Sequence, residues 1–343
     1  MSAALADRVE RSLARHHPGA RLRALEPLPG GISSQTFLAR LEGAAAPAAR
    51  IVVKAAPAGR PATGSRDVLR QARVMRGLAG AAGVRVPAVL FEEDGEPPFF
   101  AMAFVAGDSY EPKLESVADP PPAEEVAGRA RAAAAMLAAL GRVEREAVDP
   151  AGSERVLDPA AELARWRRLF ETCRPEHRGG EEELHGSLAR SVPAPDPRPR
   201  LLHGDYRLAN LICSGGRVEA IIDWELWSLG DFRCDLAWLL MHTDPSHRLT
   251  GPPDEANRRA EAGMPDAEEL LAAYRDAGGE DPGRLDWFAA LCHYKSAAAI
   301  AALAKRPGGG ERVAVAAGRL PALIGRGLEL ADDAAAAQPS GGR

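Results

Sequence analysis

Two short segments of this sequence place carboxylate and amide side chains between apolar flanks. The first, LLHGDYRLANLI, contains Asp205 and, five residues later, Asn210; the second, AIIDWE, contains Asp223. Each follows a short apolar stretch typical of a strand, so the polar side chains should project into a cleft. An aspartate can orient an attacking hydroxyl, while an asparagine and a second aspartate can offer oxygen ligands to Mg²⁺ on nucleotide phosphates. The set predicts phosphoryl transfer to a hydroxyl.

The composition strengthens this interpretation. Only four of the 43 cationic residues are lysines, and the 343-residue chain contains two asparagines, a bias typical of a GC-rich genome. A Gly-Asp turn after a strand is common, so the segment around Asp205 carries little weight alone. An asparagine falls at any one position by accident in roughly one case in a hundred or fewer, which makes Asn210 informative. No lysine lies in a GxxxxGK[ST] motif, which excludes a Walker-type phosphate loop.

Hydrophobic periodicity predicts the elements that position these residues. After an N-terminal helix that ends before Pro18, five strands and one helix are expected before Gly107. The strands are predicted over Arg21–Leu28, Thr36–Leu41, Arg50–Ala55, Val86–Phe91 and Phe99–Val105, and the helix over Val68–Leu78. The pattern indicates a small, mostly antiparallel sheet followed by a helical region, which is α+β in class.

The region after Gly107 has long Ala- and Leu-rich helical patterns. They are predicted over Ala123–Leu140, Pro159–Phe170, Ala267–Ala277, Leu285–Ala304 and Arg312–Leu330, the last kinked or split at Pro321. The segment Arg174–Arg200, rich in Pro, Gly and charge, is predicted to be a surface excursion.

The overall charge excludes several functions. A net charge of −5 and a pI near 6.0 leave no basic surplus for a phosphate backbone, so nucleic-acid binding is not expected. Four well-separated cysteines predict buried free thiols in a reducing compartment. The longest apolar run, around Ala132–Leu140, is too short to cross a bilayer, and the N-terminus does not resemble a signal peptide. We therefore expect a cytoplasmic protein without a membrane partner; its oligomeric state stays open.

Two segments, HGDYRLANLI and the later IIDWELWSLGDFRCDLAWLL, resemble the aminoglycoside phosphotransferase and choline kinase-like family. The resemblance as a whole covers about Leu25 to Leu303. The resemblance implies a bilobal protein kinase-like fold with a small antiparallel β-sheet N-lobe and a larger helical C-lobe. Residues 1–106 would form the nucleotide-binding lobe and residues 107–343 the catalytic and substrate-binding lobe. The implied activity is Mg²⁺-dependent transfer of the γ-phosphate of ATP or GTP to a small-molecule hydroxyl.

The resemblance also implies individual roles in the C-lobe. Asp205 looks like the catalytic aspartate, and Arg207 occupies the place of a cation near the γ-phosphate. Asn210 and Asp223 look like the magnesium ligands. His203 would brace the loop through hydrogen bonds, and Asp235 would tie the loop to the C-lobe helices without taking part in the chemistry.

A kinase of this kind also needs a cation on its third strand to meet the α- and β-phosphates. Lys54 ends the run Ile51–Val53, and a lysine in so arginine-rich a chain indicates that a compact ammonium is required there. The other nucleotide contacts implied are a phosphate-facing turn and a hinge strand, with Met102 behind the adenine pocket. The turn residues are Gly30, Gly31, Ser33 and Ser34, and the hinge residues that offer backbone groups are Ala103 and Val105.

One departure from the family pattern keeps a second hypothesis open. Gln71 occupies the position where relatives place a glutamate that pairs with the strand lysine, so either the alignment is shifted by a turn or another acid supplies the pairing. A catalytically weak or inactive nucleotide-binding protein on the same fold is therefore the alternative. A metal-dependent hydrolase using Asp205, Asp223 and either His242 or His247 is disfavoured, since no second His/Asp cluster accompanies them. Both histidines are interpreted as surface or capping residues.

The acceptor is the least determined part of the prediction. A polycationic aminoglycoside favours a concentrated acidic pocket, but the negative charge is spread evenly along residues 107–343. Trp287, Phe288, His293, Tyr294 and Lys295 share a late helix that could line the acceptor site, although a helix core explains the aromatic members almost as well. The sequence leaves four classes of acceptor open: an aminoglycoside, a nucleoside antibiotic, a hydroxyacyl thioester or another hydroxylated metabolite.

Overall fold

A five-stranded antiparallel sheet forms the first part of the computed structural model, which describes residues 2–28, 34–43, 49–244, 247–249, 252–305 and 310–336. Its strand order is β1-β2-β3-β5-β4. The strands are β1 Arg21–Pro27, β2 Gln35–Glu42, β3 Arg50–Ala55, β4 Val89–Glu93 and β5 Phe99–Ala103. All five predicted strands are present, and only the fourth begins later than expected. β3 lies between β2 and β5, which places Lys54 in the middle of the sheet opposite Thr36 and Phe100.

Two helices accompany this sheet. α1 (Ser2–His16) packs its apolar face, which includes Leu5, Val9 and Leu13, against the strands. α2 (Val68–Gly77) begins where the side chain of Asp67 accepts a hydrogen bond from the backbone N–H of Arg70. The Arg70 side chain pairs with Glu154 at 2.8 Å and donates to the carbonyl of Trp227 at 3.0 Å. α2 is thereby fixed to the mainly helical part of the chain.

The remainder of the chain is mainly helical. Its helices are α3 Ala123–Leu140, α4 Arg145–Val148, α5 Pro159–Glu171, α6 Glu181–Arg190, α7 Arg233–Met241, α8 Glu255–Glu261, α9 Ala267–Asp276, α10 Asp286–Ala304, α11 Gly310–Ala317 and α12 Leu320–Ala336. Short strands interrupt them, namely β6 Val156–Leu157, β7 Arg200–Leu202, β8 Leu211–Ser214, β9 Arg217–Ile221 and β10 Ser228–Gly230. β8 and β9 form a hairpin, and β10 pairs with β6 and β7. The α+β class is confirmed.

α10 is the central helix of the second hydrophobic core. It contacts α5, α6, α7, α11 and α12, and its side chains are buried on nearly all sides. Within the described part of the chain, α10 is the one helix long and apolar enough to cross a membrane by length and composition, and 72% of its apolar window is buried inside the protein. The predicted run Ala132–Leu140 lies within α3, and the apolar window of α10 is longer only because it continues across His293, Lys295 and Ser296. Burial against its neighbours accounts for the apolar character of α10.

Two further expectations can be compared with the structure. The segment Arg174–Arg200 is not only a surface excursion, because it contains α6, whose Leu184 and Leu188 are fully buried. The C-terminal helical pattern is split, as predicted, and Pro321 lies in the first turn of α12, where its missing N–H costs little.

Candidate active site

The loop that carries Asp205 connects β7 to β8 and turns sharply at Gly204. Gly204 has φ +83°, in the left-handed region that favours glycine. A Cβ at this position would lie 2.4 Å from the carbonyl oxygen of Leu226. Only glycine therefore fits both the conformation and the close packing of this turn.

Hydrogen bonds from three directions fix the same turn. The carboxylate of Asp235, on α7, accepts the backbone N–H groups of His203 at 2.6 Å and Gly204 at 3.0 Å. The His203 ring lies 2.8 Å, through Nε2, from the carbonyl of Ile222, and its Nδ1 accepts the N–H of Asp205 at 3.2 Å. This pattern assigns the proton to Nε2. His203 and Asp235 thus make the bracing contacts that the family resemblance implies.

The carboxylate of Asp205 accepts hydrogen bonds on both oxygens. Asn210 Nδ2 donates to Oδ2 at 2.8 Å, and Trp238 Nε1 donates to Oδ1 at 2.9 Å. Arg207 Nε lies 3.3 and 3.4 Å from the two oxygens. Burial opposes ionisation of Asp205, but the charges of Arg207 and Lys295 hold its pKa below the ordinary value. Asp205 is therefore an oriented anion rather than a strong base.

Glu111 is a second acid beside Arg207. Its side chain is almost completely buried, and the backbone N–H groups of Ala209 and Leu208 lie close enough to its carboxylate to favour the charged form. Burial raises the pKa of Glu111 to about 7, which the nearby Arg207 charge opposes. The guanidinium of Arg207 therefore interacts with two acids, Asp205 and Glu111. Glu111 could not be predicted from the sequence, since it lies in a loop without a motif.

Lys54, on β3, and Asp223, which follows β9, form an ion pair. Lys54 Nζ donates to Asp223 Oδ1 at 2.6 Å. Asp223 adopts φ 64° and is the one non-glycine residue with positive φ in the described part of the chain. Gln71 is buried on α2 and donates to the carbonyl of Ser65 at 3.3 Å, so it is not the partner of Lys54. Asp223, which the sequence predicted as a magnesium ligand, is therefore also the acid that pairs with Lys54.

A cavity of about 440 Å³ lies between the five-stranded sheet and the segments that carry Asn210 and Asp223. Six residues predicted for nucleotide or metal binding line it together: Lys54, Met102, Ala103, Val105, Asn210 and Asp223. The N–H of Ala103 already donates to the carbonyl of Ala88 at 2.8 Å, so this N–H is not free for an adenine ring as the sequence allowed. The remaining walls include Leu28, Val52 and Ile222, which provide flat apolar surface.

The other predicted nucleotide contacts are not brought to this cavity within the described residues. Gly30, Gly31 and Ser33 lie outside them. Ser34 is buried, and its hydroxyl has no hydrogen-bond partner in the described structure, but it does not line the cavity. Arg207 also lies outside the lining and instead contacts Asp205.

The aromatic residues of α10 belong to the core rather than to an open acceptor site. Trp287 donates to the carbonyl of Leu188 at 2.9 Å, and the Tyr294 hydroxyl donates to Glu181 at 3.0 Å. Lys295 is different, because its ammonium donates to the carbonyl of Gly204, next to Asp205. The contact of Trp238 with Asp205 was not predicted from the sequence. The rarity of lysine was a signal that could have identified Lys295.

His242 and His247 are buried, so the interpretation as surface residues is wrong, whereas His242 does lie at the C-terminal cap of α7, where its Nδ1 is 2.8 Å from the carbonyl oxygen of Trp238. Together with His293 they form a row of rings with centroid separations of 5.0 and 6.1 Å. Each has a ring nitrogen without a hydrogen-bond partner among the described residues. In that part of the chain, no three or more His, Cys, Asp or Glu side chains are arranged to hold a metal ion, so the hydrolase alternative gains no support.

These histidines predict a loss of stability in acid. Burial lowers the pKa of His242 to about 3 and that of His293 to about 4. The unfolded chain binds these protons below pH 6.5, so stability falls as the pH drops from 6.5 towards the folded-state values. For each of these two histidines, the free energy of unfolding falls by about 1.4 kcal/mol per pH unit in that window, or by about 2 kcal/mol between pH 6.5 and pH 5. Urea unfolding at pH 7.5 and pH 5 measures the loss.

Two variants separate the histidines from the carboxylates, which also titrate in acid. His293→Leu should reduce the difference in unfolding free energy between the two pH values by about 2 kcal/mol. His177→Gln, which changes a partly exposed histidine outside the row, should leave that difference unchanged. An undiminished difference in His293→Leu would contradict the assignment.

Comparisons with known proteins agree with this fold. Residues 24–293 match the model of the phosphotransferase enzyme family, and the chain belongs to that family. A Ralstonia eutropha protein described as an aminoglycoside phosphotransferase superposes with a TM-score of 0.74 at 23% identity, over 95% of this chain and 98% of that one. The macrolide 2′-phosphotransferase of Brachybacterium faecium gives 0.55 at 24% identity, over 93% and 97%. These similarities confirm the protein kinase-like fold.

Curated relatives with similar sequences are longer proteins with other names. The Arabidopsis thaliana protein named as a probable acyl-CoA dehydrogenase, IBR3, is 30% identical over 75% of this chain and 33% of its own length. Mouse acyl-CoA dehydrogenase family member 10 is 28% identical over 88% of this chain and 28% of its own length. The chain thus spans about a third of these relatives.

Proposed function

We propose that this protein transfers the γ-phosphate of ATP or GTP to a hydroxyl group of a small molecule. The observation that carries the proposal is the position of Asp205, a fixed anion on a loop that also supplies Asn210 to the cavity holding Lys54 and Asp223. In such a reaction, orientation and electrostatics provide most of the rate enhancement. The N-terminal region, residues 1–106, would hold the nucleotide, and residues 107–343 would supply catalysis and the acceptor site.

The side chains present fit a magnesium ion. Asn210 uses its Nδ2 on Asp205, which leaves its Oδ1 as a ligand, and Asp223 adds a carboxylate on the same cavity. Mg²⁺ usually takes one or two protein oxygens and completes its shell with phosphate oxygens and water. When bound, the ion would offset the phosphate charge, and Lys54 would bind the phosphates.

The residues around Asp205 then have distinct tasks. Asp205 accepts a hydrogen bond from the acceptor hydroxyl and orients its oxygen towards the phosphorus. Because its pKa is lowered, Asp205 takes the proton late, as the new P–O bond forms. Arg207 neutralises Asp205 before the substrates bind and can then turn towards the transferred group.

The charges near Asp205 favour certain acceptors. Arg207 and Lys295 are the cations whose charges act on Asp205. Such surroundings disfavour a polycation, so neutral or anionic hydroxylated compounds are better candidates than aminoglycosides. The acyl-CoA named in the curated relatives makes a hydroxyacyl thioester one member of this class.

An acceptor panel tests the proposal. Purified protein with ATP or GTP and Mg²⁺ is incubated with an aminoglycoside, a macrolide, a nucleoside and a hydroxyacyl-CoA, and mass spectrometry measures the phosphorylated product. We expect a product gain of one phosphate with one of the last three and none without Mg²⁺. Saturable nucleotide binding without transfer to any acceptor would favour the alternative, an inactive nucleotide-binding protein. The argument for that alternative is Gln71, which stands where relatives of the family have a glutamate.

A further inference from the structure

A tryptophan to which the sequence motifs assigned no role, Trp238, fixes the orientation of the Asp205 carboxylate. Trp238 lies on α7, 33 residues after Asp205, and its indole N–H donates to Asp205 Oδ1 at 2.9 Å. Asn210 holds the other oxygen at 2.8 Å. Two donors on different oxygens fix the rotation of the carboxylate about its Cβ–Cγ bond as well as its position.

A buried lysine in turn holds the tryptophan. Lys295 Nζ lies 3.9 Å from the centre of the Trp238 ring, a cation–π distance. The same ammonium donates to the carbonyl of Gly204, the residue before Asp205. Lys295 is therefore linked to Asp205 both through the backbone and through the indole. Burial of an unpaired ammonium costs free energy, and Lys295 is buried. A functional role would explain why a lysine occupies this position.

We propose that Trp238 and Lys295 are positioning residues for phosphoryl transfer, which hold the carboxylate of Asp205 at the angle that accepts the acceptor hydroxyl. The inference rests on the proposed function. Neither residue is among those lining the nucleotide cavity in the described structure. Their effect should therefore be on turnover and not on nucleotide binding.

A packing role is the competing explanation, since Trp238 belongs to the hydrophobic core around α10. A second tryptophan provides a matched control. Trp166 is also buried, also lies near the ammonium of Lys295 at 5.4 Å, and also donates its indole N–H to a carboxylate, that of Glu162 at 2.6 Å. Trp166 has no described contact with Asp205. The two tryptophans thus differ in the carboxylate that each one holds.

The experiment compares Trp238→Phe with Trp166→Phe, since phenylalanine keeps an aromatic ring and removes the N–H. We expect kcat of Trp238→Phe to fall by about 10-fold to 100-fold, because misoriented catalytic groups lose rate on this scale. The KM and Kd for the nucleotide should stay within about 2-fold. Trp166→Phe should keep the kcat of the wild type, and thermal unfolding should show both variants folded.

Lys295 provides a second, independent variant. Lys295→Met should lower kcat with unchanged nucleotide Kd, and Lys295→Arg, which restores a cation, should recover part of the loss. Wild-type kcat in both Trp238→Phe and Lys295→Met would overturn the inference while leaving the proposed function intact. Equal losses in the two tryptophan variants, or a parallel loss of nucleotide binding, would also overturn it. A wild-type protein inactive with every acceptor would instead refute the proposed function, and the inference with it.

Discussion

Asp205→Ala should lower phosphoryl transfer by about 1000-fold or more, because the variant loses the group that orients the acceptor hydroxyl and takes its proton. Nucleotide binding should survive, since Asp205 does not line the described cavity and the six predicted residues there are untouched. Single-turnover product formation measures the first effect, and a binding titration with the nucleotide measures the second.

The control for Asp205→Ala is Asp276→Ala, which removes an exposed aspartate at the end of α9. It should transfer phosphate at the wild-type rate. Full turnover by Asp205→Ala would refute the catalytic assignment. A loss of nucleotide binding equal to the loss of transfer would show that the loop had collapsed.

Asp235→Ala should reduce the free energy of unfolding by about 3 to 5 kcal/mol. The substitution leaves the N–H groups of His203 and Gly204 buried without an acceptor, and unsatisfied buried donors each cost about 1 to 3 kcal/mol. Removal of this carboxylate also leaves the nearby charge of Lys295 less compensated. Urea unfolding near pH 7.5 is the measurement.

Asp235→Asn distinguishes the hydrogen bonds from the charge. Its side-chain oxygen can still accept one of the two N–H groups, so the variant should be less destabilised than Asp235→Ala. Asp276→Ala again provides the surface control, with an expected change within about 0.5 kcal/mol. A loss below about 1 kcal/mol in Asp235→Ala would contradict the assigned role.

Much of the fold and of the candidate site could be predicted because the informative residues are close in sequence. The five strands have clear apolar patterns, and Asp205, Asn210 and Asp223 lie at strand ends, where the structure indeed brings the last two to one cavity. α6 was missed because its Leu184 and Leu188 are isolated among charged residues. Its burial against α10 and α12, and not local propensity, stabilises that helix.

The contacts of Trp238, Lys295 and the buried histidines could not be predicted. α7 and α10 are apolar on nearly every side, so their sequences do not show which face meets the loop that carries Asp205. Contacts over 33 and 91 residues depend on how these helices pack. The rarity of asparagine does not by itself identify a functional residue. The second asparagine, Asn257, is buried and forms hydrogen bonds with Tyr110 and Val117, so its role is structural.

The placement of the lysines affects how this protein can be modified chemically. Lys54, Lys113 and Lys295 are buried, and Lys305 alone is exposed. Positive charge on the surface is therefore carried almost entirely by guanidinium groups, which do not react with acylating reagents under mild conditions. Apart from the α-amino group, an amine-directed fluorophore would therefore find one exposed lysine side chain, Lys305 at the end of α10.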